Sequence, residues 1–228
     1  MSVVPDVRKE DGLARRWFLA PVLTLGLVGV LAAPQPAWAT SGVHFRFTGQ
    51  FAEASLYGSD ESTCVVTEVY LAAVDGRIKQ AREPEAASEA FVFISQFDGC
   101  REELLLSAIG FARLTEPEFT IDRRLGRAKL EATIQVEDSV SGTSFPVMVN
   151  LSWLGTSDPD RVKDRLQVRT PGWRLKVRYD GTFRLGQASG VIANGDTNFA
   201  AGEAVFANLG SVGQGEVIVA RCPERLSR

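Results

Sequence analysis

Beyond Ala39 the chain alternates apolar and polar positions with a period of two, the pattern of strands whose successive side chains point to opposite faces. Ala128 to Val136 is the clearest run. Ala128, Leu130, Ala132, Ile134 and Val136 share one face, and Lys129, Glu131, Thr133 and Gln135 share the other. From Trp173 to Leu185, an apolar series (Trp173, Leu175, Val177, Tyr179, Phe183, Leu185) interleaves with Arg174, Lys176, Arg178, Asp180, Thr182 and Arg184. Phe145, Val147, Val149, Leu151 and Trp153 form a third apolar stripe. Phe45, Phe47, Gly49 and Phe51 open a first strand, while Val65–Val74 and Phe91–Phe97 are apolar on both faces, as covered strands are. Leu104–Leu114, Val205–Leu209 and Glu216–Ala220 complete the set.

Turn chemistry separates these runs at Tyr57-Gly58-Ser59-Asp60, Asp75-Gly76, Asp98-Gly99, Ser141-Gly142, Thr170-Pro171-Gly172 and Asn194-Gly195-Asp196. Asp75-Gly76 and Asn194-Gly195 suit tight hairpins. Gly186-Gln187-Ala188-Ser189-Gly190 reads as a turn or a bulged strand. Gln80–Glu89, rich in Ala and Glu, fits either one short helix or a polar loop around Pro84, and Ser157–Asp164 reads as a charged loop. About ten strands with short links predict an all-β fold, a single antiparallel β-barrel or β-sandwich. The expected organisation is a signal peptide over residues 1–39 and a single all-β domain over 40–228. A division near Ser141–Phe145 is the alternative, although no Pro- or Ser-rich linker marks it.

The N-terminal segment follows different rules. Arg15-Arg16 precedes an uncharged apolar run from Trp17 to Ala33, which Pro34 and Pro36 end before Ala37-Trp38-Ala39. A basic region, an apolar run and a small-x-small site make an export signal with cleavage expected after Ala39. The run is short of the ~20 apolar residues that cross a ~30 Å hydrocarbon layer. Left uncleaved, it would tether the domain to the outer face of a membrane. Arg15-Arg16-Trp17-Phe18-Leu19 resembles the twin-arginine export pattern R-R-x-F-L, with Ala14 and Ala20 departing from it. The resemblance implies a bacterial or archaeal source and a domain able to fold before export. Paired arginines also occur in ordinary secretory signals, so both routes stay open. The expected location is secreted or cell envelope, with membrane contact only through the signal segment.

Four basic residues (Arg8, Lys9, Arg15, Arg16) and three acids (Asp6, Glu10, Asp11) lie in the signal region, leaving 21 basic and 25 acidic residues beyond it, a net charge of −4. That balance argues against nucleic acid as a partner. Of the three cysteines, Cys64 and Cys100 flank predicted strands in the same half and are the expected disulfide, with Cys222 left over in the tail. Wide spacing and the lack of Cys-x-x-Cys argue against a metal site. No cofactor is expected, and neither a P-loop, a dinucleotide fingerprint nor G-x-S-x-G occurs.

His44 is the chain's one histidine, which disfavours triad and zinc chemistry. Carboxylate chemistry stays open because glycoside hydrolysis needs only two facing acids. Asp98, Glu131, Glu137, Asp138 and Asp180 are the candidates. The most unusual charge feature is Arg161–Arg184, which carries +6 in an acidic domain. Arg174, Lys176 and Arg178, with Arg169 nearby, form a candidate stripe for an anionic surface partner. The competing reading has neighbouring strands supplying acids opposite these cations. Trp153 and Trp173 fall on apolar phases and read as core. Phe91, Phe93, Phe97, Phe111, Phe183 and Phe206 either line a cavity for a small apolar ligand or fill a solid core. The expected function is non-enzymatic binding of such a ligand or partner by a monomer. A carboxylate-dependent polysaccharide hydrolase and a structural envelope protein are the alternatives.

Overall fold

The computed structural model describes residues 43–60, 63–79, 84–170, 173–195 and 197–221. The signal segment, residues 80–83, the Pro171-Gly172 turn and Cys222 lie outside the described residues. Eleven strands form one antiparallel sheet: β1 (Val43–Asp60), β2 (Val65–Lys79), β3 (Pro84–Asp98), β4 (Glu103–Arg113), β5 (Phe119–Ile121), β6 (Arg127–Asp138), β7 (Ser144–Gly155), β8 (Asp160–Thr170), β9 (Trp173–Asn194), β10 (Thr197–Glu203) and β11 (Phe206–Arg221).

The pairings run round a ring of eight strands, β1-β2-β3-β4-β6-β7-β9-β11 and back to β1. The other three strands continue ring members. β5 follows β4 along β6, β8 follows β7 along β9, and β10 precedes β11 along β9. The period-two pattern explains which face turns inward. Ala52, Leu56, Leu71, Ile94, Leu130, Ile134, Leu151, Ile192 and Leu209, drawn from seven of the strands, form one buried cluster. Trp153 joins it and donates its indole N–H to the Glu53 carbonyl at 2.9 Å, which fits its apolar phase in the sequence. The side chain of Trp173 lies outside the described residues.

Register places the phenylalanines elsewhere. Phe91 and Phe93 stand opposite Ala72 and Tyr70 on the outer face, with Phe111 opposite Phe91. Their rings make a row, Tyr70–Phe91 at 6.1 Å and Phe91–Phe111 at 5.0 Å. Phe183 also faces outward and packs edge-on against Phe51 at 5.4 Å. Phe97 is exposed, and Phe206 stands opposite Ser55. These rings therefore do not line a common enclosed space.

Several local expectations are corrected. Asp75-Gly76 is no turn: it lies inside β2, with Gly76 opposite Gly49 of β1. A Cβ on Gly49 would sit 2.6 Å from the Gly76 Cα, so the glycines serve close strand approach, with the Phe47 ring lying over both. Tyr57-Gly58-Ser59-Asp60 likewise continues β1. Gly186–Gly190 is strand interior in β9. A Cβ on Gly190 (φ +153°) would meet the Asn150 carbonyl, which requires glycine there. Pro84–Glu89 is strand, because pairing with Val74–Lys79 overrides its Ala/Glu composition. The charged segment after Ser157 becomes β8 from Asp160, and Phe206–Leu209 and Glu216–Ala220 belong to one long strand that begins after Val205. The turn at Asn194-Gly195 holds, with Asn194 pairing Thr197 across it. The Cys64–Cys100 disulfide is present, with Cα atoms 5.6 Å apart, and ties the start of β2 to the turn after β3.

One buried acid interrupts the outer face. Glu53 is 1% exposed. Its carboxyl accepts hydrogen bonds from Tyr70 Oη and Asn208 Nδ2, each at 2.8 Å. Burial pushes its pKa up to about 7, against the lowering effect of those two donors. The native state therefore keeps a proton that the unfolded chain loses near pH 4.5. Stability from this group is full below that pH and is lost as pH rises through about 7. At ~1.4 kcal/mol per pKa unit the span is on the order of 3 kcal/mol. Asp138, Asp180 and Glu216 shift downward, so their losses fall at lower pH and leave this window to Glu53. Chemical denaturation across pH 4.5–7 should show declining stability in the parent and a flatter profile in Glu53→Gln. An unchanged slope in the variant would remove Glu53 as the cause.

Candidate basic binding face

β9 carries the site because one face changes character along its length. Ala188 and Ile192 point into the enclosed cluster. Arg184 shares their face but donates from Nε to the Ser157 carbonyl at 2.6 Å and from Nη1 to the Arg124 carbonyl at 3.4 Å. Leu125, from the same loop, is buried in the cluster, and Gln50 Nε2 of β1 donates to the Asp122 carbonyl at 2.9 Å. The 122–126 loop thus covers the apolar interior at the level of Arg184. Past that level the same face of β9 presents Asp180, Arg178, Lys176 and Arg174.

Antiparallel register joins these residues to others far away in sequence. Residues directly opposite one another share a face, with strands ~4.8 Å apart. Arg178 stands opposite Arg165 of β8 on one side and Glu216 of β11 on the other. Glu216 stands opposite Arg46 of β1, and Arg46 opposite Lys79 of β2. Arg165, Arg178, Glu216, Arg46 and Lys79 therefore form one row across five strands. In the adjoining row Lys176 lies between Gln167 and Ile218, and His44 lies opposite Ile218. Beyond that, Arg174 stands opposite Arg169 and Ala220. Arg169 is placed by its backbone alone, its side chain lying outside the described residues.

Charge balance across these rows is uneven. Glu216 gathers polar partners: a hydrogen bond with His44 Nε2 at 2.7 Å and ion pairs with Arg46 and Arg178 at 3.6 Å. Burial raises its pKa, but the His44 hydrogen bond and the charges of His44, Arg178 and Arg46 bring the net shift below the ordinary range. Asp180 is held by Lys163 at 3.1 Å and Arg161 at 3.2 Å, and these partners lower its pKa. Acids opposite the stripe are otherwise missing. Arg178 faces Arg165, Arg174 donates from Nη2 to Gln167 Oε1 at 2.9 Å, and Lys176 makes no ion pair among the described residues. The Nε atoms of Arg174 and Arg178 are buried and have no hydrogen-bond partner among the described residues.

The five candidate carboxylates do not converge. Asp98 caps the turn after β3, accepting from the backbone N–H groups of Cys100 and Arg101. Asp138 caps the β6–β7 turn, accepting from the backbone N–H groups of Ser107, Val140 and Ser141. Burial raises its pKa, yet the Ser141 hydroxyl and these N–H groups bring it down to about 2. Glu131 pairs with Lys129 at 2.7 Å on the exposed face of β6, where Glu137 also points outward. A cleft of about 620 Å³ lies on the reverse face of the β8–β9 hairpin, between Ser157–Asp164 and the side chains of Tyr179, Phe183 and Leu185. It joins an apolar floor to a charged rim without bringing two of these carboxylates together.

Sequence reading found the β9 stripe but missed Arg46, Lys79 and Arg165 as its neighbours and Glu216 as its counter-charge. The polar phase of Arg46, Thr48 and Gln50 was visible, but its partner strands were not. Replacing Glu216 with Gln removes the row's one acid from among four cations. Solvent screens these half-exposed cations, so losing the pairs costs on the order of 1 kcal/mol. Thermal melts of Glu216→Gln should show the loss at low ionic strength and partial recovery with added sulfate. A loss independent of salt would oppose a counter-charge role.

Compared with known proteins, the chain matches no family model, no curated protein and no solved structure.

Proposed function

We propose that this chain is an exported, non-enzymatic binding protein that holds an anionic partner on the basic face of β8, β9, β11 and β1. One observation carries the reading. Cations oppose cations across β8 and β9, and two arginine nitrogens in the stripe are buried without a partner. Like charges directly opposite destabilise a sheet. An anion seated between the guanidinium groups would relieve that repulsion.

Other features fit around this reading. The ring of eight strands closes as a barrel whose interior is filled by side chains, leaving the surface beyond the 122–126 loop for binding. The outward placement of Phe91, Phe93, Phe111 and Phe183 weighs against an apolar ligand held inside. The Arg15–Ala39 export signal and the Cys64–Cys100 disulfide both suit an oxidising compartment outside the cytoplasm.

The test is retention on a sulfated-polysaccharide column under a salt gradient. The parent should bind and elute late. The triple variant Arg174→Gln, Lys176→Gln, Arg178→Gln should elute near the void with its melting temperature within a few degrees of the parent's. Each lost contact should also flatten the dependence of affinity on salt. Failure of the parent to bind, or equal retention of the variant, would sink the proposal.

A further inference from the structure

We infer, resting on the reading above, that the anionic partner is an acidic polysaccharide laid across the strands. Direction comes from the row Arg165, Arg178, Glu216, Arg46, Lys79, which runs at right angles to five consecutive strands. At ~4.8 Å per strand it spans roughly 19 Å, far more than one small anion occupies. A linear chain crossing the strands meets two cations, then Glu216, then two more.

That interruption decides the chemistry. Polyphosphate and a DNA phosphodiester backbone carry no hydroxyl donors along their length, so they would set only negative groups against Glu216. A sugar chain places hydroxyls between its carboxylates, and a hydroxyl can donate to the Glu216 carboxylate while guanidinium forks take the carboxylates on either side. Gln167 and His44, in the next row, add side chains able to exchange hydrogen bonds with hydroxyls. Single-stranded nucleic acid is disfavoured on a second ground. Binding there draws on aromatic platforms for the bases, and the described side chains of this row and the next two include no Phe, Tyr or Trp, with His44 the one aromatic ring among them. An anionic bilayer would gain little from the face, because Ile218 is the one large apolar side chain between the cations of these rows and is itself part-buried.

Titration calorimetry with galacturonate, oligogalacturonates of increasing length, inorganic polyphosphate and oligo-dT tests this. Galacturonate itself should bind negligibly. Affinity should rise with oligomer length until the row is spanned, and polyphosphate or oligo-dT of matched charge should bind about tenfold more weakly at the same salt. Arg46→Gln with Lys79→Gln, at the end of the row away from β9, should weaken long oligogalacturonates several-fold and shorten the length at which affinity levels off. Arg46→Lys, which keeps the charge, should retain most of the long-chain affinity and guards against a folding defect. Equal affinity for monomer and oligomer, or tighter binding of oligo-dT or polyphosphate, would overturn the inference while leaving an anion-binding face. Lack of salt-sensitive binding to every one of these probes would overturn both.

Discussion

A strand offers each side chain one of two faces, and antiparallel register decides which distant residues share it. β9 shows how much follows from that constraint. It is 22 residues long and bordered along nearly its whole length, by β7 and β8 on one side and β10 and β11 on the other. Its even-numbered positions begin as Arg174, Lys176 and Arg178 and end as Ala188 and Ile192 in the buried cluster. No break in the strand separates these regimes. Arg184 marks the change, turning its guanidinium to the carbonyls of Ser157 and Arg124, so that cations do not continue into the interior.

The sheet handles its buried acids in two ways. Glu53 has donors but no cation, so burial dominates and the proton is retained to about pH 7. Glu216 has little exposed surface, yet two arginines and the His44 hydrogen bond surround it and the negative charge is kept. The opposite shifts follow from the deeper burial of Glu53 together with the charged partners that register brings to Glu216. A neutral Glu53 serves packing of the outer face. An ionised Glu216 is what lets Arg46 and Arg178 approach within one row.

Alternation made strands legible where one face is apolar and the other polar, as in Ala128–Val136, and Cys64 and Cys100 were legible because their flanking strands are neighbours in sequence. Local signals misled where pairing overruled them. Asp75-Gly76 has the residues of a turn, but its glycine is used for approach to Gly49. β8, with its run of charges, lacked an apolar stripe strong enough to announce a strand and is held by β9. Least legible was the row itself. Arg46 and Glu216 meet at 3.6 Å across 170 positions of sequence, and alternation within either strand carries no information about which strand lies beside it.

The like-charge contact between β8 and β9 is therefore the most informative feature of the surface. A cross-strand pair shifts stability by about 0.2–1 kcal/mol, and a domain has only about 5–15 kcal/mol in total. Exchanging Arg165 for an acid would turn a repulsive pair into an attractive one at an exposed position, without disturbing the core. Lys163, two residues before it, already has such a relation with Asp180. The same hairpin thus contains both solutions, a neutralised row and an open one, side by side. Edge protection alone needs charge on β8 but does not need it to oppose Arg178. On the proposed reading, an anion shared by Arg165 and Arg178 would offset the positive charge of the open row.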